Sequence, residues 1–184
     1  LFMNSYENLL GADTAASGGG SDELFNGGAV DISGFELYLR RILVDNGRIQ
    51  MPLELAWTNT NSKFQESFDG FWGDVSKGDE LTYLPDTMIA LNLGLNVDKI
   101  SAYISMKKTS EMRTVAGSGS ISSSNATDEL TIIDFGLRYA LQDNIRLSVG
   151  INNFMDDDGV VSRRPYGARP TMPRSFSFGV DYTF

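Results

Sequence analysis

Along most of the chain, apolar and polar residues alternate with a period of two. In the last segment Phe176, Phe178, Val180, Tyr182 and Phe184 alternate with Ser175, Ser177, Gly179, Asp181 and Thr183. One face is wholly apolar and the other small or polar. A strand sorts residues this way, and a helix of period about 3.6 does not. The pattern recurs in Ile49 to Trp57, Ile89 to Val97, Ile133 to Leu141 and Ile145 to Ile151. Phe35, Leu37 and Leu39 carry Glu36, Tyr38 and Arg40 on their other face, and Ala102, Ile104 and Met106 carry Ser101, Tyr103, Ser105 and Lys107. With a weaker stretch near the start, the spacing predicts eight strands, at roughly 1–9, 28–44, 49–62, 86–97, 100–113, 129–141, 145–155 and 174–184.

The connections alternate in length. Asp45-Asn46-Gly47-Arg48, Val97-Asp98-Lys99 and Gln142-Asp143-Asn144 are tight turns, the first a strong hairpin signal. The long links fall at about 10–27, 63–85, 114–128 and 156–173. The first and third are Gly/Ser-rich and read as mobile. Short turns at one end, long loops at the other and strands of about 9–11 residues fit a membrane-spanning β-barrel. A soluble sandwich and a closed eight-stranded barrel share the same alternation. Phe25, Trp57, Phe64, Phe154 and Phe176 towards the loops, and Tyr139, Tyr182 and Phe184 towards the turns, are expected as aromatic girdles.

Composition narrows the function. The 184 residues contain no Cys and no His. That excludes disulfides, thiolate metal sites, a Cys nucleophile and a Ser-His-Asp triad. With Lys+Arg 15 against Asp+Glu 24, the net charge of −9 disfavours nucleic acid. The opening Leu1-Phe2-Met3-Asn4 reads as the start of a piece of a longer protein.

Several motifs resemble those of TonB-dependent outer-membrane receptors. They are Asn26-Gly27-Gly28-Ala29 with Ser33-Gly34-Phe35-Glu36-Leu37, Trp57-Thr58 to Phe64, and Gly78-Asp79-Glu80-Leu81-Thr82-Tyr83-Leu84-Pro85. Near the end come Ile151-Asn152-Asn153-Phe154-Met155-Asp156, then Arg164-Pro165-Tyr166-Gly167-Ala168-Arg169-Pro170 with Pro173-Arg174-Ser175-Phe176, and the terminal Phe184. Trp72-Gly73-Asp74-Val75 and Met112-Arg113-Thr114-Val115-Ala116-Gly117 look most like the ferric-dicitrate branch.

The resemblance implies an all-β, antiparallel up-and-down transmembrane barrel portion. Residues 1–184 would be the C-terminal third of a larger plugged barrel, without its plug domain. It also implies the partners: outer-membrane lipid, an anionic ferric chelate, the plug and TonB through an upstream part, and the barrel assembly machinery through Phe184. Neither an enzymatic step nor a cofactor is expected.

Four arginines, Arg163, Arg164, Arg169 and Arg174, crowd residues 160–174 without an acid. Arg163, Arg164 and Arg169, with Arg113 at another loop base, are the candidate ligand-binding residues, because guanidinium forks grip carboxylates bidentately. The alternative is that they pair with wall acids or lipopolysaccharide. Glu36, Glu54, Asp134, Arg138, Arg146 and Asp181 read as a polar inner wall, and Gly34, Gly94, Gly136, Gly150 and Gly179 as sites of close approach. Asp156-Asp157-Asp158-Gly159 lacks calcium-loop spacing and reads as a solvated loop. Trp72 and Tyr83 are expected to flank the binding mouth or anchor the interface.

Overall fold

The computed structural model describes residues 1–12, 24–70, 73–163 and 167–184. Within them the strands are β1 (Phe2–Tyr6), β2 (Leu10–Ala12), β3 (Leu24–Asn26), β4 (Val30–Asp45), β5 (Ile49–Phe64), β6 (Phe68–Gly70) and β7 (Gly73–Val75). They continue with β8 (Thr87–Val97), β9 (Ile100–Thr109), β10 (Leu130–Gln142), β11 (Ile145–Asn152), β12 (Val160–Ser162), β13 (Arg169–Pro170) and β14 (Ser175–Tyr182). One eight-stranded sheet runs β1-β4-β5-β8-β9-β10-β11-β14, each neighbour antiparallel and next in the chain apart from the loop hairpins. The short pairs β2–β3, β6–β7 and β12–β13 lie inside the long links.

All eight expected strands form. Four end sooner than expected: β1 stops at Tyr6 rather than 9, β9 at Thr109 rather than 113, β11 at Asn152 rather than 155, and β14 at Tyr182 rather than 184. Asn153 takes the left-handed conformation at φ 51°, which breaks the extended chain there. Among the described residues β1 and β14 do not pair, so the sheet stays open. The closed eight-stranded barrel expected as the alternative does not form in this structure.

Register explains the alternation. Leu53, Leu93, Ile104, Phe135, Ile151 and Phe176 fall in one cross-strand row on the apolar face. Gly94, Tyr103, Gly136, Gly150 and Ser177 form a row on the other. The apolar face is uncovered: Phe176 is 61%, Phe178 79% and Val180 72% exposed. Water does not stabilise a continuous apolar face of this kind, whereas hydrocarbon does.

The tight turns follow from local chemistry. The Asn46 side-chain oxygen accepts hydrogen bonds from the amides of Arg48 at 3.1 Å and Ile49 at 2.8 Å. Gly47 supplies φ +80° between them. Arg48 then pairs with Asp98 at 3.0 Å, tying the first turn to the second. Pro52 sits in an interior strand, where its missing N–H weakens a ladder. The β4 bulge between Ile42 and Val44 lies opposite, and the bare Gly94 leaves room for the ring, 2.8 Å from where a Cβ would stand.

Trp57 packs edge-on against Phe35 near the loops, and Tyr182 against Phe184 near the turns. Phe64 departs from the expected girdle. It pairs with Val30 on the polar face and is fully buried. The Phe25 side chain lies outside the described residues.

Candidate functional site

The long links do not splay outwards. Val30, Phe64 and Val75 form a small core with Ile32, Phe68, Leu81 and Ala116 packed against it. Val30, Ile32 and Phe64 share a face with Gly34 and Glu36, so the loops fold over the polar face of the sheet. The third link, read as mobile, is held between 113 and 127. Thr114 and Thr127 are buried, Glu80 bridges to Gly117, and Arg113 bridges to Ala126. The serines there stay exposed, and the link is held by Arg113, Thr114, Ala126 and Thr127, which are buried.

Arg113 is 7% exposed. Its Nε donates to Glu80 Oε2 at 2.5 Å and its terminal nitrogen to the Gly119 carbonyl. The Arg113 carbonyl accepts from the Tyr83 amide at 2.8 Å. Tyr83 holds φ 55°, uncommon for a bulky residue. Asp86 stands close by. Burial first, and the Glu80 carboxylate second, push its pKa above 3.8, and the Arg113 guanidinium opposes them. Asp86, Glu80, Glu111, Glu129 and Arg113 line a cleft of about 500 Å³. Its acidic rim was not anticipated from the sequence, because these residues are scattered along it.

The last link is organised by Asn153, which is 3% exposed. Its amide donates to Asp134 Oδ1 at 2.8 Å, and its Nδ2 to the carbonyls of Asp157 at 2.9 Å and Met172 at 3.0 Å. Its Oδ1 accepts from the Asp157 amide at 2.9 Å. Asp157 Oδ2 in turn accepts from the Thr131 amide at 2.8 Å, so this aspartate closes the loop base. Among the described residues no cluster of acids has metal-holding geometry.

The arginines divide. Arg163 donates to the carbonyls of Ala126 at 2.5 Å and Ser123 at 2.9 Å, clamping the last link onto the third. Arg169 is exposed in β13, with its guanidinium 3.4 Å from Ser162 Oγ. Arg174 pairs with Asp156 at 3.7 Å, so it is compensated by an acid just outside the arginine-rich stretch. Arg164 and Trp72 lie outside the described residues. Arg113, Arg163 and Arg169 therefore belong to one assembly of loops, in which Arg113 is buried, Arg163 half-buried and Arg169 an exposed residue.

Lower on the polar face, Arg40 pairs with Glu54 at 3.3 Å. Arg146 and Asp181 stand opposite each other between β11 and β14. Arg138 stands opposite Ser101 and Ser148.

A family model described as TonB dependent receptor-like, beta-barrel, matches residues 1–154. No curated protein matches the chain in sequence. Its fold is shared by solved structures that include the following three. The ferric-catecholate import receptor Fiu of E. coli is 18% identical with a TM-score of 0.70 over 99% of the chain. The ferric yersiniabactin uptake receptor FyuA of Yersinia pestis is 13% identical with a TM-score of 0.69 over 91%. A mutant of the ferric enterobactin receptor PfeA of Pseudomonas aeruginosa is 20% identical with a TM-score of 0.63 over 99%. The chain spans 24%, 26% and 28% of their lengths.

Proposed function

The chain belongs to the TonB-dependent receptor-like β-barrel family, and from that premise we propose that it is barrel wall and exterior loops of an outer-membrane receptor for a ferric chelate. The observation that carries the reading is the two-faced sheet. Its apolar face is bare, and its polar face is roofed at one end by interlocked loops. The apolar face meets membrane lipid, the polar face lines the lumen, and the loops form the outer mouth. The role is binding and passage, with no chemical step in the protein.

The matched receptors are named for ferric catecholate, ferric yersiniabactin and ferric enterobactin, which supports an iron chelate as cargo. The ferric-dicitrate branch rests on the motifs around Trp72 and Met112 alone. In this reading Arg164 and Arg169 receive an anionic chelate, while Arg113 and Arg163 set the loops that present them. Further partners of the proposal are a plug domain and TonB, engaged through upstream residues of the longer protein, and the barrel assembly machinery, which reads the terminal Phe184.

The test uses the complete parent gene, expressed in a Gram-negative strain lacking its own ferric receptors. Radiolabelled iron uptake from chelate should appear in membranes that contain the protein and vanish when TonB is deleted. Equal uptake with and without TonB would sink the proposal, as would recovery of the protein in the soluble fraction.

A further inference from the structure

Four arginines each hold an acid: Arg40 pairs with Glu54, Arg48 with Asp98, Arg113 with Glu80 and Arg174 with Asp156. Among the described residues no carboxylate pairs with Arg138, on the polar face of β10 near its turn end. Its cross-strand neighbours are Ser101 of β9 and Ser148 of β11. Beside it lies a hollow of about 250 Å³, lined by Arg138, Tyr103, Ser148 and Ser177 around the bare Gly136 and Gly150. The glycines are what opens it. The Tyr103 ring lies across Gly136, and Ser177 Oγ stands 2.6 Å from where a Gly150 Cβ would be. Ser148 Oγ stands 2.5 Å from the same point on Gly179, which also lines the hollow. Three hydroxyl-bearing side chains thus lean over bare backbone around one unpaired guanidinium.

We infer that this hollow is a binding site for a single oxyanionic group, a carboxylate or a phosphate. A guanidinium presents parallel N–H donors that match two oxygens of such a group. Serine and tyrosine hydroxyls donate to the oxygens that remain. Bare backbone between them lets the group approach closely. Pockets for whole small ligands run about 300–1,000 Å³, so a hollow below that range takes one group rather than a molecule. The inference goes beyond the receptor reading, because the sheet builds the site whatever the cargo is. The oxyanion comes either from a soluble anion in the lumen or from an acidic side chain of the longer protein that packs on this wall.

The complete receptor in detergent is treated with phenylglyoxal, which modifies arginine side chains, and peptide mass spectrometry reads the rate at Arg138 against Arg146. Arg146 lies on the same face and does not line the hollow. With inorganic phosphate in excess, Arg138 should react about fivefold more slowly and Arg146 should change less than about twofold. Combining Ser148→Ala with Ser177→Ala should remove most of that protection. Ser148 is half-buried and Ser177 exposed, so the pair spares the fold. If the oxyanion is the protein's own, Arg138 should be protected without phosphate. Carbodiimide treatment of the Arg138→Lys variant should then form an amide between the introduced amine and an acid outside residues 1–184. Arg138 reactivity that phosphate does not change, in a protein whose Arg138→Lys variant yields no such amide, would overturn the site. Undiminished protection in the double serine variant would overturn it too. Neither result touches iron uptake, which tests the receptor reading separately.

Discussion

Tyr103 of β9 lies across Gly136 of β10, so that a Cβ on Gly136 would stand 2.6 Å from the Tyr103 ring carbon Cζ. The same tyrosine stands opposite Gly94 on its other side. The tyrosine ring thus occupies the space that the bare Gly136 leaves in the polar face, while the Pro52 ring takes the space beside Gly94. Gly136→Val should overpack this joint and destabilise the sheet by about 1–3 kcal/mol. Adding Tyr103→Ala should restore much of that loss, and chemical unfolding of the four-member mutant cycle reads the coupling. Additive effects would mean that the ring and the glycine are independent.

Arg113 and Glu80 form the best-buried ion pair among the described residues, with side chains 8% and 34% exposed. Removing one partner of a buried pair leaves a charge without its counterion and costs about 3–5 kcal/mol. Glu80 keeps partial access to water, so the lower end applies to Arg113→Ala. The damage should be local, because the pair ties loop to loop rather than strand to strand. Limited proteolysis should cut the variant within 113–127 while the strand core stays resistant. Arg113→Lys should recover little, since a single ammonium cannot reach both Glu80 and the Gly119 carbonyl as the fork does.

Asp86 gives the same loops a dependence on pH. Its carboxyl is held above 3.8 by burial and by Glu80. An acid whose folded pKa is raised binds more protons folded than unfolded, so its contribution falls as pH rises from the ordinary value through the raised one. Ionised Asp86 is thus a standing cost to the loops at neutral pH. Asp86→Asn should slow hydrogen exchange at the Tyr83 and Glu80 amides at pH 7, and the gain should shrink as pH falls from the raised value towards 3.8 and be lost below it. A gain of the same size at both pH values would show that charge is not the cause.

The strands were legible in the sequence because period-two alternation is a local property, and one uncovered apolar face keeps it regular within each sheet strand from β5 to β14. The turns were legible because Asn46-Gly47 carries its own geometry. What escaped was contact between distant links. Arg113 looks like a free cation in its own segment, and only the fold brings Glu80 beside it. Arg174 looked uncompensated until the chain turned at Asn153 and set Asp156 against it. Asn153 itself stood in a motif that marked the region but gave no hint of its four hydrogen bonds, which depend on Asp134, Asp157 and Met172 converging. Phe64 stands on the opposite parity from Ile49, Leu53 and Trp57, so the alternation itself carried the signal that this ring faces the polar side, beyond the expected strand end at 62.

The division of the arginines makes a prediction that charge counting does not. Arg163 gives its donors to the Ala126 and Ser123 carbonyls, whereas Arg169 is an exposed residue of β13 with its guanidinium beside Ser162 Oγ. Arg169→Gln should therefore act on an anionic ferric chelate chiefly through long-range attraction, slowing association by about two- to fivefold at low salt. Above about 0.5 M salt the Debye length is only a few ångströms, and that difference should disappear. Arg163→Ala should instead loosen the last link from the third, raising dissociation at every salt concentration and exposing residues 153–163 to protease. Stopped-flow binding to the complete receptor at two ionic strengths separates the two modes. If both variants gave the same salt-dependent loss, Arg163 would have to be a ligand contact rather than a clamp between loops.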